Sequence, residues 1–72
     1  MKYICHLVDG RYLAFDHKTG ISFSKMTIKF IVGHNKTIKH HTRKLYQSKT
    51  GVFFFIFNNH RFHFSDFDDN FD

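Results

Sequence analysis

Apolar and polar residues alternate with a period of two through much of this chain, in short runs separated by turn residues. That period sends successive side chains to opposite faces of a strand, so each run reads as a short β-strand with one buried face. YICHLV (3–8) and RYLAF (11–15) flank Asp9-Gly10, which predicts a hairpin closed by a type I′ turn, where both central residues need positive φ. Ile21, Phe23, Met26, Ile28 and Phe30 alternate with Ser, Thr and Lys except for one slip near Ser24-Lys25. The slip predicts a β-bulge within a single strand. Val52–Phe57 is apolar at every position, which predicts a central strand covered on both faces. Arg61-Phe62-His63-Phe64-Ser65 alternates again, with Phe62 and Phe64 expected inside and His63 outside. Further turn signals stand at Lys18-Thr19-Gly20, Gly33-His34-Asn35, Lys49-Thr50-Gly51 and Asn58-Asn59. KTGISFS (18–24) and KTGVFFF (49–55) echo each other, as two similar hairpin openings would.

The segment Lys36–Ser48 fits two patterns. As a strand it places Lys39, His41 and Arg43 on one face and His40, Thr42 and Lys44 on the other. With both faces polar, such a strand belongs at a sheet edge or in a protruding ribbon. As a helix it gathers Ile38, Leu45 and Tyr46 on one side, with Asn35 as cap and Gly51 beyond the end. Thr and His form helices weakly, and the strand is the better fit. The expected fold is all-β: a small antiparallel meander of five or six strands curled into a partly open barrel. The alternative is an α+β domain with one helix at about 36–48. Residues 1–65 form the expected domain, and 66–72 an acidic, Phe-containing tip.

Composition explains how 72 residues can sustain a core. A chain this short buries a modest share of its surface, and eleven phenylalanines compensate, because each large aromatic can bury about 150–250 Å². Cys5 is the sole cysteine, so no disulfide contributes and a reducing compartment is expected. The first ten residues lack a secretory hydrophobic region, and the longest apolar run is far below the roughly 20 residues that span a bilayer. A cytoplasmic protein without membrane contact follows, a host cytoplasm if phage-encoded.

Charge is unevenly placed. Residues 1–50 hold ten Lys/Arg and two Asp, whereas 51–72 hold one Arg and four Asp. No acidic residue falls between Asp16 and Asp66. KTIKHHTRKLYQSKTG (36–51) concentrates five of the cations and two histidines. On a strand advancing roughly 6.6 Å per two residues, Lys36, Lys39, His40, His41, Arg43, Lys44 and Lys49 are candidate phosphate contacts and Tyr46 a candidate stacking face. The competing explanation is a charged edge that keeps sheets from pairing with each other.

The remaining motifs add less. Seven histidines imply a charge that rises as pH falls towards about 6. His60 and His63 have a metal-ligand spacing, but as turn and strand residues their rings need not converge, so no metal and no cofactor is expected. No Glu, nucleophile elbow or phosphate-cradling glycine loop is present. A nuclease reading would need His40 or His41 as base and Arg43 against the phosphate, yet adjacent strand residues point to opposite faces. A non-catalytic binding protein, of the kind phages and mobile elements carry, is therefore expected.

The tip SDFDDNFD (65–72) resembles the short acidic-aromatic tails of single-stranded DNA-binding proteins from phages and bacteria, though it ends in Asp72 rather than a hydrophobic residue. The resemblance implies a tip that recruits proteins or occupies the basic edge when no ligand is bound; otherwise it is a solubilising tail with Phe67 docked on the core. The first expectation for function is binding of nucleic acid or another polyanion. The alternative is a modulator that binds a host protein directly, through Tyr3, Tyr12, Phe67 and Phe71 as exposed aromatic anchors. An edge strand also offers a route to a homodimer.

Overall fold

The computed structural model describes residues 2–70, with the backbone alone at 69 and 70. Nine strands follow in chain order: β1 (Lys2–His6), β2 (Tyr12–Asp16), β3 (Ile21–Ser22), β4 (Thr27–His34), β5 (Thr37–Lys44), β6 (Tyr46–Gln47), β7 (Phe53–Phe57), β8 (His60–His63) and β9 (Asp68–Asn70). A 3-10 turn at Phe64–Asp66 joins the last two. The larger sheet runs β5-β4-β2-β1-β9, with β3 beside the first residues of β4; the smaller runs β6-β7-β8. Every pairing is antiparallel. The larger sheet curls, and the result is the expected all-β half-barrel. The segment 36–48 is strand, not helix.

Register explains which residues face the core. Leu13 pairs with Val32, and Phe30 with His41, so β2, β4 and β5 send Leu13, Phe15, Ile28, Phe30 and Val32 to one face, with His41 and Arg43 beside them. The smaller sheet answers with Phe55, Phe57 and Phe62. Leu45, 1% exposed, sits where the chain passes from one sheet to the other, its N–H bonded to the Met26 carbonyl at 2.8 Å. The period of two is unbroken through this corner. Lys39, His41, Arg43 and Leu45 therefore face inward, and Ile38, His40, Thr42, Lys44 and Tyr46 outward.

Three local expectations are corrected. The Asp9-Gly10 hairpin is not a type I′ turn. Gly10 N–H donates to the Leu7 carbonyl at 3.2 Å and Leu7 N–H to the Arg11 carbonyl at 2.8 Å, and in this loop Gly10 alone has positive φ, at 91°. That is a three-residue loop with a glycine bulge. The two-residue turn with positive φ at both positions falls instead at Asn58 (52°) and Asn59 (64°), between the paired Phe57 and His60. The slip near Ser24-Lys25 is not a bulge but a turn over 23–26 that joins β3 to β4, made possible by Met26 at φ 51°. Phe23, pushed out of line, packs edge-on to Phe53 at 5.2 Å. The strand over 53–57 is covered on one face only, since Ile56 is 40% exposed.

The acidic tip is joined to the domain. Phe67 is buried against Phe15 and Phe62, and β9 pairs with β1 through Ile4↔Asp68 and Lys2↔Asn70. Asp66 accepts a hydrogen bond from His63 N–H at 2.8 Å. Phe71 and Asp72 lie outside the described residues.

Gly20 is buried in the turn that returns β2 to β3. Asp16 caps that turn: its Oδ1 accepts from Lys18 N–H at 2.8 Å and Thr19 N–H at 3.3 Å. These two hydrogen bonds, the first the stronger, hold the Asp16 carboxyl below its usual range. A Cβ on Gly20 would stand 2.7 Å from the Asp16 carbonyl oxygen and 2.9 Å from that of Lys29, both backbone atoms that cannot swing away. Gly20→Ala is expected to destabilise the fold by about 1–3 kcal/mol, as overpacked sites do. For Gly33→Ala the nearest atoms belong to the ring of Tyr12, a side chain able to turn aside. Urea midpoints should rank the two variants in that order, and equal midpoints would refute the account.

Candidate nucleic-acid interface

The outer face of β6-β7-β8 assembles in two rows. Tyr46 pairs with Phe54, and Phe54 with His63, so three rings stand side by side across three strands. Tyr46 and Phe54 stack at 5.5 Å with planes 17° apart, and the His63 ring lies 5.6 Å from Phe54. Ile56 pairs with Arg61 in the neighbouring row. Two cations sit against the stack: Lys44 Nζ lies 5.3 Å over Tyr46, and the Arg61 guanidinium 4.6 Å over Phe54. Tyr46 remains 39% exposed. Asp66 borders this platform, 3.8 Å from His63 Nδ1.

The candidate basic residues of 36–49 do not all meet here. Lys44 and Tyr46 belong to the platform, and Lys49 lies in the loop between β6 and β7. Lys36 lies in the β4–β5 turn, some ten residues and therefore roughly 30 Å of strand from Tyr46. His40 turns outward beside Ile31, Ile38 and Lys29, over a shallow trough floored by Ala14. Lys39, His41 and Arg43, the expected cationic row, face the gap between the sheets. Continuing the β6–β7 register past Leu45 brings Arg43 alongside Phe57, where its guanidinium lies 5.2 Å from the ring. His41 stacks on Phe30 at 5.8 Å and meets Phe57 edge-on at 4.9 Å. Beyond Leu45 the two strands splay, and among the described residues no ladder closes them.

Of the aromatic anchors considered for protein binding, Phe67 is buried and unavailable. Tyr3 is half-buried, stacked on Phe15 at 5.3 Å. Tyr12 is half-buried too, its ring over Gly33 and 6.1 Å from His6. Phe71 is not described. His60 lies beside Phe62 and His63 beside Phe54; among the described residues no three His, Cys or Asp side chains gather as a metal site. The Cys5 thiol is pushed up by burial and then by the Asp66 and Asp68 carboxylates, which keeps it a weak nucleophile.

Arg61, Phe54 and His63 are absent from the candidate binding residues of the sequence, although His63 is expected outside there. A period-two count starting at the buried Phe62 was the available signal, since it places 61 and 63 outward and, through a two-residue turn at 58–59, aligns them with 56 and 54.

Burial holds His41 below the ordinary histidine range, helped by the positive charges of Arg43, Lys39 and His40. The folded chain thus takes up this proton less readily than the unfolded chain. Its contribution is neutral above about pH 6.5 and becomes destabilising as pH falls below that value towards the depressed folded pKa. In chloride buffer the urea midpoint should drop between about pH 7.5 and 5.5. His41→Phe should shrink the drop; a drop of unchanged size would show that other groups cause it.

Comparison of the chain with protein-family models, with curated proteins and with solved structures returned no match. Among the described residues no helix is long and apolar enough to cross a membrane.

Proposed function

We propose that the β6-β7-β8 face binds single-stranded nucleic acid with little sequence preference. The observation that carries this reading is the outward-facing Tyr46–Phe54–His63 row, exposed at Tyr46 and half-buried at Phe54 and His63, with Lys44 and Arg61 against its rings. Every nucleobase has a π-face, so stacking tolerates sequence, while neighbouring cations hold the phosphates between bases. Lys44 is an exposed, flexible side chain. When it moves from the Tyr46 ring to a phosphate it uncovers the ring for a base, so one residue serves both contacts. Net charge of +5 favours encounter with a polyanion.

The test is a fluorescence-anisotropy titration with labelled single-stranded and duplex oligonucleotides at about 50 and 200 mM salt. Phosphate contacts from the two platform cations should weaken binding by roughly sevenfold between those salts. Tyr46→Ala should weaken it by about ten- to a hundredfold, the loss of one stacked base. Lys44→Gln with Arg61→Gln should flatten the salt dependence by about two phosphates. Absence of saturable binding at the lower salt, or parental affinity in Tyr46→Ala, defeats the proposal.

A second reading, a modulator that binds another protein, draws on the opposite surface. Ile4, Ala14 and Ile31 form one cross-strand row on the outer face of the larger sheet, and Ile38 in the adjacent row is 54% exposed. Protein that purifies free of nuclease-sensitive ultraviolet absorbance and binds no oligonucleotide would favour this reading.

A further inference from the structure

The splayed gap between β5 and β7 ends in a concavity of about 400 Å³ whose donors come from three parts of the chain. Arg11 precedes β2, His34 ends β4, and Lys39 and His41 lie on β5. Val32 and Phe57, both core residues, supply its apolar wall. We infer that this concavity binds a phosphate group, either inorganic phosphate or a phosphate monoester, at a site separate from the stacked-ring platform.

Two of the donors, Arg11 and His41, are held in place. Asp9 accepts hydrogen bonds from the Arg11 backbone N–H at 3.1 Å and from its Nε at 2.7 Å, which fixes the guanidinium while leaving its two terminal nitrogens for a ligand. His41 is wedged between Phe30 and Phe57 and cannot turn away. Lys39 is exposed and flexible, suited to closing on an anion after it enters. The apolar wall strengthens every charge interaction in the concavity by excluding water from one side. Asp9 is an acid that faces Arg11 and His34; against it stand Arg11, Lys39 and, beside His41, Arg43 and His40. A volume of about 400 Å³ lies within the range of small-molecule sites and exceeds a bare phosphate, so the group carrying the phosphate also has room.

Protons and anion are linked here. A bound dianion offsets the repulsion that His41 meets from its neighbours, so it raises the His41 pKa, and protonated His41 holds the anion more tightly in return. Phosphate monoesters lose charge near pH 6 themselves, so sulfate, whose charge is constant in this range, isolates the protein's share.

The experiment is an NMR titration of the intact protein with inorganic phosphate, a nucleoside monophosphate and sulfate, following the His34 and His41 ring signals. Both rings should shift saturably with one shared dissociation constant, and sulfate should bind more tightly as pH falls below about 6.5. Lys39→Gln should weaken phosphate binding at least tenfold, the loss of one charge-assisted contact, and Arg11→Gln should do the same. A nucleoside monophosphate that binds more tightly than phosphate assigns the site to monoesters; equal affinity assigns it to the free anion. Linear, non-saturating shifts, or constants unmoved in both variants, overturn the site. Tyr46→Ala should leave the phosphate titration intact. Loss of the titration in that variant would refute a separate site, whereas failure of oligonucleotide binding alone would not touch it.

Discussion

Phe55→Ala should abolish cooperative unfolding, leaving a chain with weak, broad circular-dichroism changes in urea. Phe55 is 0% exposed and bridges both sheets: its ring lies 4.9 Å from Phe30 in the larger sheet, 5.5 Å from Phe62 in the smaller and 6.0 Å from Phe67 in the C-terminal segment. Truncating a buried phenylalanine removes about 3–5 kcal/mol, part as lost transfer energy and part as the cavity left behind. Domains hold about 5–15 kcal/mol in total, and one of 72 residues stands at the low end because it buries a smaller share of its surface. The loss thus approaches the whole. Phe55→Leu, which keeps most of the volume, should retain a sharp transition at lower urea. A parental midpoint in Phe55→Ala would mean that the sheets are not joined through this ring.

Phe67→Ala should be nearly as damaging. The ring packs edge-on to Phe15 at 5.0 Å, and the residue leads directly into β9, which pairs with β1. Its removal opens a cavity under β2 and loosens the strand that follows, for an expected loss of about 3–5 kcal/mol. A solubilising tail would give a change within about 0.5 kcal/mol, as surface substitutions do. Chemical denaturation of Phe67→Ala separates the two, with amide exchange at Ile4 as a second readout because that residue pairs with Asp68. Parental stability with parental exchange at Ile4 would return residues 66–72 to the status of a tip.

Much of this fold is legible because its strands alternate. The pattern of 11–15, 27–34 and 61–63 places inward and outward residues as the structure has them, and the weak helix formers of 36–48 are read correctly as strand. The uniform run over 52–57 is where periodicity fails. Phe-Phe-Phe-Ile-Phe has no polar residue to mark its open face, and tertiary neighbours decide that Phe55 is enclosed and Ile56 is not. Most of the candidate platform depends on that decision, because Phe54 gathers Tyr46, His63 and Arg61 only through cross-strand register. The cationic row at Lys39, His41 and Arg43 is correctly read as one face, yet its inward direction was illegible. Charged residues point inward here because the barrel is left open beside them and Phe57 offers a ring for Arg43, circumstances set by strands far away in sequence.

One backbone run, 37–47, supplies the edge of the larger sheet and, past Leu45, the first strand of the smaller. Neither sheet can complete its hydrogen bonding while this run is unplaced, and the pairings it makes reach from Thr27 to Phe54. The two sheets are therefore expected to melt together, with the amides of β4, β5, β6 and β7 losing exchange protection as one unit.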